Sequence, residues 1–220
     1  MKTAQLEHWR SDFGRAYTDR KWLTPDALDA LYRRNYGISR RELNQRFLAK
    51  VPRDARILEV GCNEGKHLCA LRKMGFQNLY GIEIQDYALP KARARLEDAH
   101  RALAAAFEIP DGFFDLVFTS GVLFHVAPAD LPKALGEIHR CADGFIWGLE
   151  YYSPQPMAVT YRGHERLLWK MDYARLYLEL FDDLEPVRVE QLPYLEGTNV
   201  DSMFLLFRRQ EPSQTSGRKA

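Results

Sequence analysis

The sequence predicts an α/β fold in which helices cover both faces of a mostly parallel sheet. From residue 57 onward, short apolar runs alternate with segments of helical apolar periodicity. The first run, Ile57–Val60, is followed by glycines at positions 61 and 65 and then by helically spaced leucines. Strand, glycine turn and helix in this order are typical of the first βαβ unit of a nucleotide-binding sheet.

Composition favours one soluble domain. The chain has 220 residues, 46% of them hydrophobic, and 31 basic residues nearly balance 30 acidic ones, so no global charge points to nucleic acid. The cysteines at positions 62, 69 and 141 lack metal-ligand spacing, so neither a metal site nor a disulfide framework is predicted. No signal peptide or membrane-length apolar run is found, and we expect a cytoplasmic protein without a membrane partner.

Residues 1–50 are predicted to form two or three helices that cap the domain. Trp9, Phe13 and Tyr17 recur every four residues and therefore share one helical face. Thr24 precedes a proline at a first helical position, and Ser39 begins a capping-box pattern. The aromatic face has two interpretations, which are core packing and a lid over a cofactor.

Seven strands are predicted in the domain spanning residues 51–208. They are Ile57–Val60, Leu79–Ile84, Arg101–Ala105, Leu116–Thr119, Phe145–Glu150, Val187–Leu192 and Met203–Phe207. The helices between them are predicted at 65–74, 87–98, 129–141 and 172–181. Because no helix separates the last two strands, we expect an antiparallel pair at one edge, followed by a disordered tail at 209–220.

The residues of the glycine turn indicate its ligand. A dinucleotide turn needs a glycine at its middle position, where this chain has Asn63 between Gly61 and Gly65. Glu59 precedes the turn by two residues, and its carboxylate would repel a pyrophosphate but suit an ammonium group. S-adenosylmethionine has an ammonium group and no phosphate, so the pattern favours it over NAD.

The second strand leads to another acid, Glu83, which follows Glu59 by 24 positions. This is close to the interval at which a carboxylate accepts hydrogen bonds from ribose hydroxyls in nucleotide-binding sheets. We therefore predict that Glu83 binds the ribose.

The segment after the fourth strand, Ser120–Val126, should border the reacting centre, because ligands lie beyond the carboxyl ends of the central strands. Together with the turn at 59–65 and the run Gly81–Ile84, it resembles the class I S-adenosylmethionine-dependent methyltransferases. The resemblance implies a Rossmann-like fold and S-adenosylhomocysteine as product. It implies further cofactor contacts at Tyr17, Cys62, Ile84 and Ser120. The chain departs from the superfamily after the third strand, where a polar or acidic residue for the adenine amine is replaced by the run Ala104–Glu108, so we expect the backbone at Ala106 and Phe107 to make this contact.

Further segments resemble one subgroup, the methylases associated with pseudaminic acid biosynthesis. They are Phe13–Arg20, His139–Cys141, Glu150–Pro154 and Tyr161–Glu165. The resemblance extends over about residues 6–208. It implies a small-molecule acceptor, such as an anionic or nucleotide-linked sugar.

His125 is the candidate catalytic base because it follows the strand end closest to the expected methyl group and titrates near neutral pH. The alternative is a histidine that orients the loop or packs near the cofactor. Glu150 and His164 could instead share the role of base.

The segment 151–169 is predicted to be an irregular acceptor loop, because its prolines disfavour a helix before about Leu167. The candidate acceptor-binding residues are Tyr151, Tyr152, Tyr161, Arg162 and His164. Arginine binds carboxylate and phosphate well, so Arg162 favours an anionic acceptor. In the alternative interpretation, Arg162 only pairs with Glu165.

Other functions stay open at this point. A nicotinamide oxidoreductase is disfavoured by Asn63, and a non-catalytic binding protein is disfavoured by the intact turn and the polar loop. An amine or a carboxylate could replace a hydroxyl as acceptor. The sequence is also compatible with a homodimer.

Overall fold

The computed structural model describes residues 3–20, 22–96, 102–103 and 109–209. Its main sheet has the strand order β3-β2-β1-β4-β5-β9-β8. The strands are β1 Arg56–Val60, β2 Asn78–Ile82, β3 Ala102–Leu103, β4 Phe114–Ser120, β5 Ala142–Tyr151, β8 Leu184–Pro193 and β9 Val200–Arg208. Strands β1 to β5 run parallel, and β9 lies antiparallel between β5 and β8.

The predicted antiparallel edge pair is therefore present, but the sheet differs from seven full strands. Six strands have five residues or more, and of the third predicted strand only Ala102 and Leu103 lie among the described residues, where they form β3.

Eight α-helices lie in the described part of the chain. They are α1 Ala4–Arg10, α2 Asp12–Thr18, α3 Pro25–Tyr36, α4 Arg40–Phe47, α5 Lys66–Lys73, α6 Leu89–Arg95, α7 Leu131–Cys141 and α8 Tyr173–Leu180. Four of them precede β1, rather than two or three, because Ser11 ends α1 and accepts a hydrogen bond as the N-cap of α2. Ser39 and Glu42 form the predicted capping box of α4.

Two apolar cores lie on opposite faces of the sheet. One packs Leu43 of α4 and Leu71 of α5 against Ile57 and Phe118 of the sheet. The other contains Leu135 of α7 and Tyr177 of α8 beside Val117, Ile146 and Phe204. Strand residues consequently alternate between the two cores, as expected for a sheet covered on both faces.

The segment 151–169 is not an irregular loop. Strand β5 continues to Tyr151, and β6 Met157–Tyr161 pairs antiparallel with β7 His164–Lys170. The turn of this hairpin uses positive φ at Arg162 (53°) and Gly163 (80°). The prolines precede the hairpin, and burial of Leu168 and Trp169 provides the apolar side that a strand needs.

Several predictions lie outside the described residues. They concern the cofactor contacts at Ala106 and Phe107, the end of the helix predicted at 87–98, most of the third strand and the tail beyond residue 209. Among the described residues, no helix has both the length and the apolar composition to span a bilayer.

Candidate active site

The site lies where the strand order reverses. Strands β1 and β4 are parallel neighbours, but the chain continues from β1 to β2 on one side and from β4 to β5 on the other. A crevice forms beyond the carboxyl ends of the strands at such a switch point, and open α/β sheets bind their ligands there. The predicted cofactor and catalytic segments both begin at this crevice.

The glycine turn after β1 is closely packed against the segment after β4. Gly61 has φ of 71°, and a Cβ atom placed there would lie 2.7 Å from a methyl carbon of Val122. The amides of Gly61 and Cys62 both donate to the Ile82 carbonyl oxygen, at 2.9 and 3.0 Å. Only glycine combines this backbone conformation with the available space, so Gly61 lets the two loops meet.

Glu83 is fixed at the end of β2 by backbone amides. Asn63 donates to Oε2 at 2.8 Å, and Gln85 donates to Oε1 at 2.9 Å. Burial raises the pKa of Glu83, and the backbone hydrogen bonds oppose that shift. Both carboxylate oxygens are thus held in fixed positions before any ligand binds. Ile84, the next residue in the chain, has a side chain that is 36% exposed.

Glu59 lies almost completely inside the protein, with 1% of its surface exposed. Its Oε2 atom has no hydrogen-bond partner among the described residues. Burial raises the pKa of Glu59 to about 8, although the charges of Lys66 and Arg40 act in the opposite direction. A buried carboxyl oxygen without a partner is costly, and a hydrogen-bond donor from a ligand would satisfy it.

Arg40 is a residue of this site that the sequence reasoning missed. Its guanidinium donates to Asn44 Oδ1 at 2.7 Å, to the Tyr32 hydroxyl at 2.8 Å and to Ser120 Oγ at 3.2 Å. Its exposed fraction is 1%, and Nη2 is buried without a partner in the part of the chain that the structure describes. The buried guanidinium of Arg40 therefore has one N–H donor group, Nη2, that is available to a ligand beside the end of β4.

A signal for Arg40 was present in the sequence. The buried residues of α4 are Arg40, Leu43, Asn44 and Phe47, which follow the i, i+3, i+4, i+7 pattern of a buried face. An arginine on an apolar face has to find polar partners inside the protein. The pattern could have identified the residue but not its partners.

His125 ends the 3-10 turn Leu123–His125. Its Nδ1 atom lies 2.7 Å from the Leu167 carbonyl oxygen, and because a carbonyl can only accept, Nδ1 carries the proton. Burial lowers the pKa of His125 to about 4. The ring is therefore neutral at physiological pH, and its Nε2 atom is an acceptor.

Aromatic rings from three parts of the chain surround His125. Its ring centre is 4.5 Å from that of Trp9, 4.4 Å from that of Phe124 and 5.1 Å from that of Tyr161. Trp9 also contacts Tyr17 at 5.3 Å. The N-terminal aromatic face and the β6–β7 hairpin therefore meet above the histidine.

Hydrogen bonds hold the N-terminal helices over this end of the sheet. Asn63 donates from Nδ2 to Thr18 Oγ1 at 2.9 Å, which links α2 directly to the glycine turn. The Gln85 amide donates to the carbonyl oxygens of Trp9 and Ser11. Gly14 leaves the space for this contact, because a Cβ atom there would overlap both Trp9 and Gln85.

The predicted acceptor residues divide into two groups. Tyr151 stacks on Phe124 with ring centres 4.4 Å apart, and Tyr161 faces His125, so both lie at the site. Tyr152 is half-buried at the end of β5. Arg162 and His164 are exposed in the hairpin, although His164 contacts the Phe13 ring at 5.5 Å.

The remaining predicted cofactor residues occupy the same region. Cys62 is buried under the turn, and burial raises the pKa of its thiol. Ser120 is bound to Arg40, and Tyr17 is half-buried with its ring 4.3 Å from the Arg20 guanidinium. The structure thus brings the described cofactor candidates together around the ends of β1, β2 and β4.

Comparison with known proteins is consistent with this geometry. Residues 58–144 match the family model described as a methyltransferase domain. An uncharacterized protein of Haemophilus influenzae is 30% identical over 95 residues, which are 40% of this chain and 38% of that protein. The match therefore spans well under half of that relative's length.

Two solved structures share the fold at low sequence identity. The 1,6-didemethyltoxoflavin-N1-methyltransferase of Burkholderia thailandensis has a TM-score of 0.69 and 17% identity, covering 96% of this chain and 92% of that one. It was crystallised with S-adenosylhomocysteine. The geranyl diphosphate C-methyltransferase of Streptomyces coelicolor has a TM-score of 0.67 and 13% identity, covering 94% and 98%.

The chain thus has the Rossmann-like fold of the class I methyltransferases, and its residues 58–144 match a methyltransferase domain.

Proposed function

We propose that the protein transfers a methyl group from S-adenosylmethionine to a small acceptor, and that Glu59 and Arg40 bind the amino-acid end of the cofactor. The observation that carries this proposal is the pair of buried, unpartnered atoms, Glu59 Oε2 and Arg40 Nη2. One is a hydrogen-bond acceptor and the other a cationic donor, which matches an ammonium and a carboxylate on one ligand. The charge of Arg40 lowers the pKa of Glu59, so the guanidinium is within electrostatic range of the carboxyl group.

Glu83 accepts hydrogen bonds from the ribose hydroxyls in this proposal, with its orientation set by the amides of Asn63 and Gln85. Ile84 offers an exposed apolar side chain to the adenine. The four helices of residues 1–50 act as a lid over the cofactor, and residues 51–208 form the catalytic domain. Thr18 and Trp9, which bond to the turn and to Gln85, support the lid role.

Bound S-adenosylmethionine supplies a methyl carbon made electrophilic by its sulfonium. Tyr151, Tyr161 and Phe124 exclude water and align an acceptor hydroxyl, which can account for roughly 7 to 11 kcal/mol of the barrier. His125 Nε2 accepts the hydroxyl proton as the new O–C bond forms and the S–C bond breaks. With a pKa of about 4 the imidazole is a weak base, so orientation of the hydroxyl is the larger part of its role.

The proposed acceptor is a small anionic molecule, such as a sugar acid or a nucleotide-linked sugar. Arg162 supports this, because its guanidinium lies 5.7 Å from the Tyr161 ring centre and can approach a carboxylate or phosphate. The second candidate is an amine in a specialised metabolite. It is favoured by the neutral state of His125, since a neutral amine needs no strong base to accept a methyl group.

An acceptor screen tests the proposal. The protein is incubated with S-adenosylmethionine and matched pairs of sugar acids, nucleotide sugars, neutral sugars and amino sugars, and S-adenosylhomocysteine release is followed by mass spectrometry. We expect release with an anionic hydroxyl acceptor, reduced on the order of 100-fold by His125→Ala. Release only with amino sugars would replace the proposed acceptor by the second candidate, and no release with bound cofactor would favour a non-catalytic role.

Cofactor binding should tighten as the pH rises from 6 to 8. Because the pKa of Glu59 is about 8 without ligand, its carboxyl is mostly protonated at pH 7. An ammonium group favours the carboxylate, so binding releases a proton and is weakest at low pH. Because a group with a pKa of about 8 is about 1% ionised at pH 6 and half ionised at pH 8, calorimetry with S-adenosylhomocysteine should show an affinity gain of roughly 50-fold. Glu59→Gln is the control, and an equal gain in that variant would contradict the assignment.

A further inference from the structure

Glu150 is a buried acid that the proposed mechanism leaves without a role. It lies near the end of β5 with 1% of its surface exposed. The Val122 amide donates to its two carboxylate oxygens at 3.2 and 3.1 Å, and the Phe124 amide donates to Oε2 at 3.4 Å. One carboxylate therefore accepts hydrogen bonds from the amides of two residues of the segment after β4, Val122 and Phe124.

The segment held in this way is the 3-10 turn that ends at His125. Its start is fixed by the Gly121 amide, which donates to the Leu149 carbonyl oxygen at 3.0 Å. The His125 amide donates to the Val122 carbonyl oxygen at 2.9 Å, which closes the turn. Strand β5 thus anchors the turn twice, through the backbone of Leu149 and through the side chain of Glu150.

The two residues whose amides reach Glu150 contact opposite sides of the site. The Val122 side chain fills the space above Gly61, next to the cofactor turn. The Phe124 ring stacks on Tyr151, a proposed wall of the acceptor site, with the rings only 9° from parallel. A shift at the Phe124–His125 end of the turn would therefore change the acceptor wall and His125 together, while the bond from the Gly121 amide to the Leu149 carbonyl oxygen keeps the start of the segment beside the cofactor turn.

Within the described part of the chain, Glu150 accepts hydrogen bonds but forms no salt bridge. Its pKa is raised to about 7 by burial, while the Thr119 hydroxyl and the backbone amides oppose the shift. Glu150 in turn contributes to the raised pKa values of the Tyr173 and Tyr177 phenols, on helix α8. Ionising a carboxyl group at this depth costs stability, because a buried charge loses its hydration. A neutral amide of the same size would not have this cost.

We propose that Glu150 is a positioning residue for methyl transfer, which holds the Leu123–His125 turn so that His125 and Phe124 face the acceptor. Glu150 does not touch the reacting atoms and acts through the turn. The inference rests on the proposed function, since it assumes that His125 orients the acceptor. The carboxylate accepts hydrogen bonds from both amides when ionised, whereas its protonated form loses part of this acceptor capacity. The turn is consequently held best above about pH 7 and loosens below it.

Nuclear magnetic resonance of the full chain with bound S-adenosylhomocysteine tests the inference directly. The amide proton signals of Val122 and Phe124 are followed from pH 5.5 to 8.5. We expect both to shift with a common midpoint near pH 7 in the wild type and to stay constant in Glu150→Gln. The ring nitrogen signals of His125 should change or broaden in that variant, because its turn is less fixed.

Kinetics with an acceptor found in the screen give the second measurement. Glu150→Gln should lower kcat tenfold or more and leave the affinity for S-adenosylhomocysteine within about threefold, and Glu150→Asp should recover part of kcat. Glu185→Gln, an exposed acid on β8, is the matched control.

The inference is overturned if the two amide signals do not titrate in the wild type, or if they titrate equally in Glu150→Gln. If Glu150→Gln does not fold, the wild-type titration decides alone. Failure of the proposed function gives a different result. In that case S-adenosylhomocysteine would not bind, but the amide signals of Val122 and Phe124 would still titrate in the free protein.

Discussion

Replacing Glu83 by alanine is expected to weaken S-adenosylhomocysteine binding about 100-fold or more. The carboxylate is held by the amides of Asn63 and Gln85 with its remaining lone pairs free for two ribose hydroxyls. Hydrogen bonds to a charged group contribute roughly 1.5 to 3 kcal/mol each. The substitution also leaves the Asn63 amide in the turn without its Glu83 acceptor. Calorimetry on the folded variant provides the measurement.

Glu196→Ala is the matched control for Glu83, because Glu196 is an exposed glutamate far from β2 in the chain. It should bind S-adenosylhomocysteine like the wild type. Near-unchanged affinity in Glu83→Ala would remove the ribose assignment, since no other described carboxylate is held in this way at the end of β2.

Replacing Arg40 by glutamine should lower both stability and cofactor affinity. The guanidinium is bonded to Tyr32, Asn44 and Ser120 inside the protein, and glutamine cannot reach all three. We expect the free energy of unfolding to fall by about 2 to 4 kcal/mol, because buried partners are left unsatisfied. The affinity for S-adenosylhomocysteine should fall on the order of 100-fold, as expected when a buried charge-assisted contact is lost.

A second ligand separates the two effects of Arg40→Gln. The compound 5′-methylthioadenosine lacks the amino-acid end, so it should bind Arg40→Gln and the wild type with equal affinity. Arg41→Gln, which changes the exposed neighbour on the same helix, should leave both affinities unchanged. Equal losses for the two ligands in Arg40→Gln would mean that Arg40 only supports the structure.

Local pattern was enough to predict the part of the site that is built within one βαβ unit. Apolar runs and glycines mark the order of β1, its turn and α5, since these features depend on residues that are neighbours in the chain. Glu59 and Glu83 could be named as candidates in the same way, because Glu59 lies near the end of β1, Glu83 directly follows β2, and these two strands are parallel neighbours. The alternation of strands and helices likewise predicted the class of fold.

Periodicity was less informative where an element depends on contacts with the rest of the protein. The hairpin of β6 and β7 was predicted as a loop because of the prolines that precede it in the sequence. The burial of Leu168 and Trp169, which stabilises the hairpin, cannot be read from the sequence. The N-terminal aromatic residues showed one helical face, although Ser11 divides it between two helices.

The sequence by itself therefore determined the class of fold, the cofactor turn and the acids that flank it. Tertiary structure alone decided which distant groups meet there: Arg40 beside Ser120, Glu150 under the turn of His125 and Trp9 above the imidazole. These contacts join residues separated by 26 to more than 100 positions, and several of them are formed by buried polar atoms. Such atoms are placed by the packing of whole elements and by the need to satisfy each donor and acceptor, which no local pattern records.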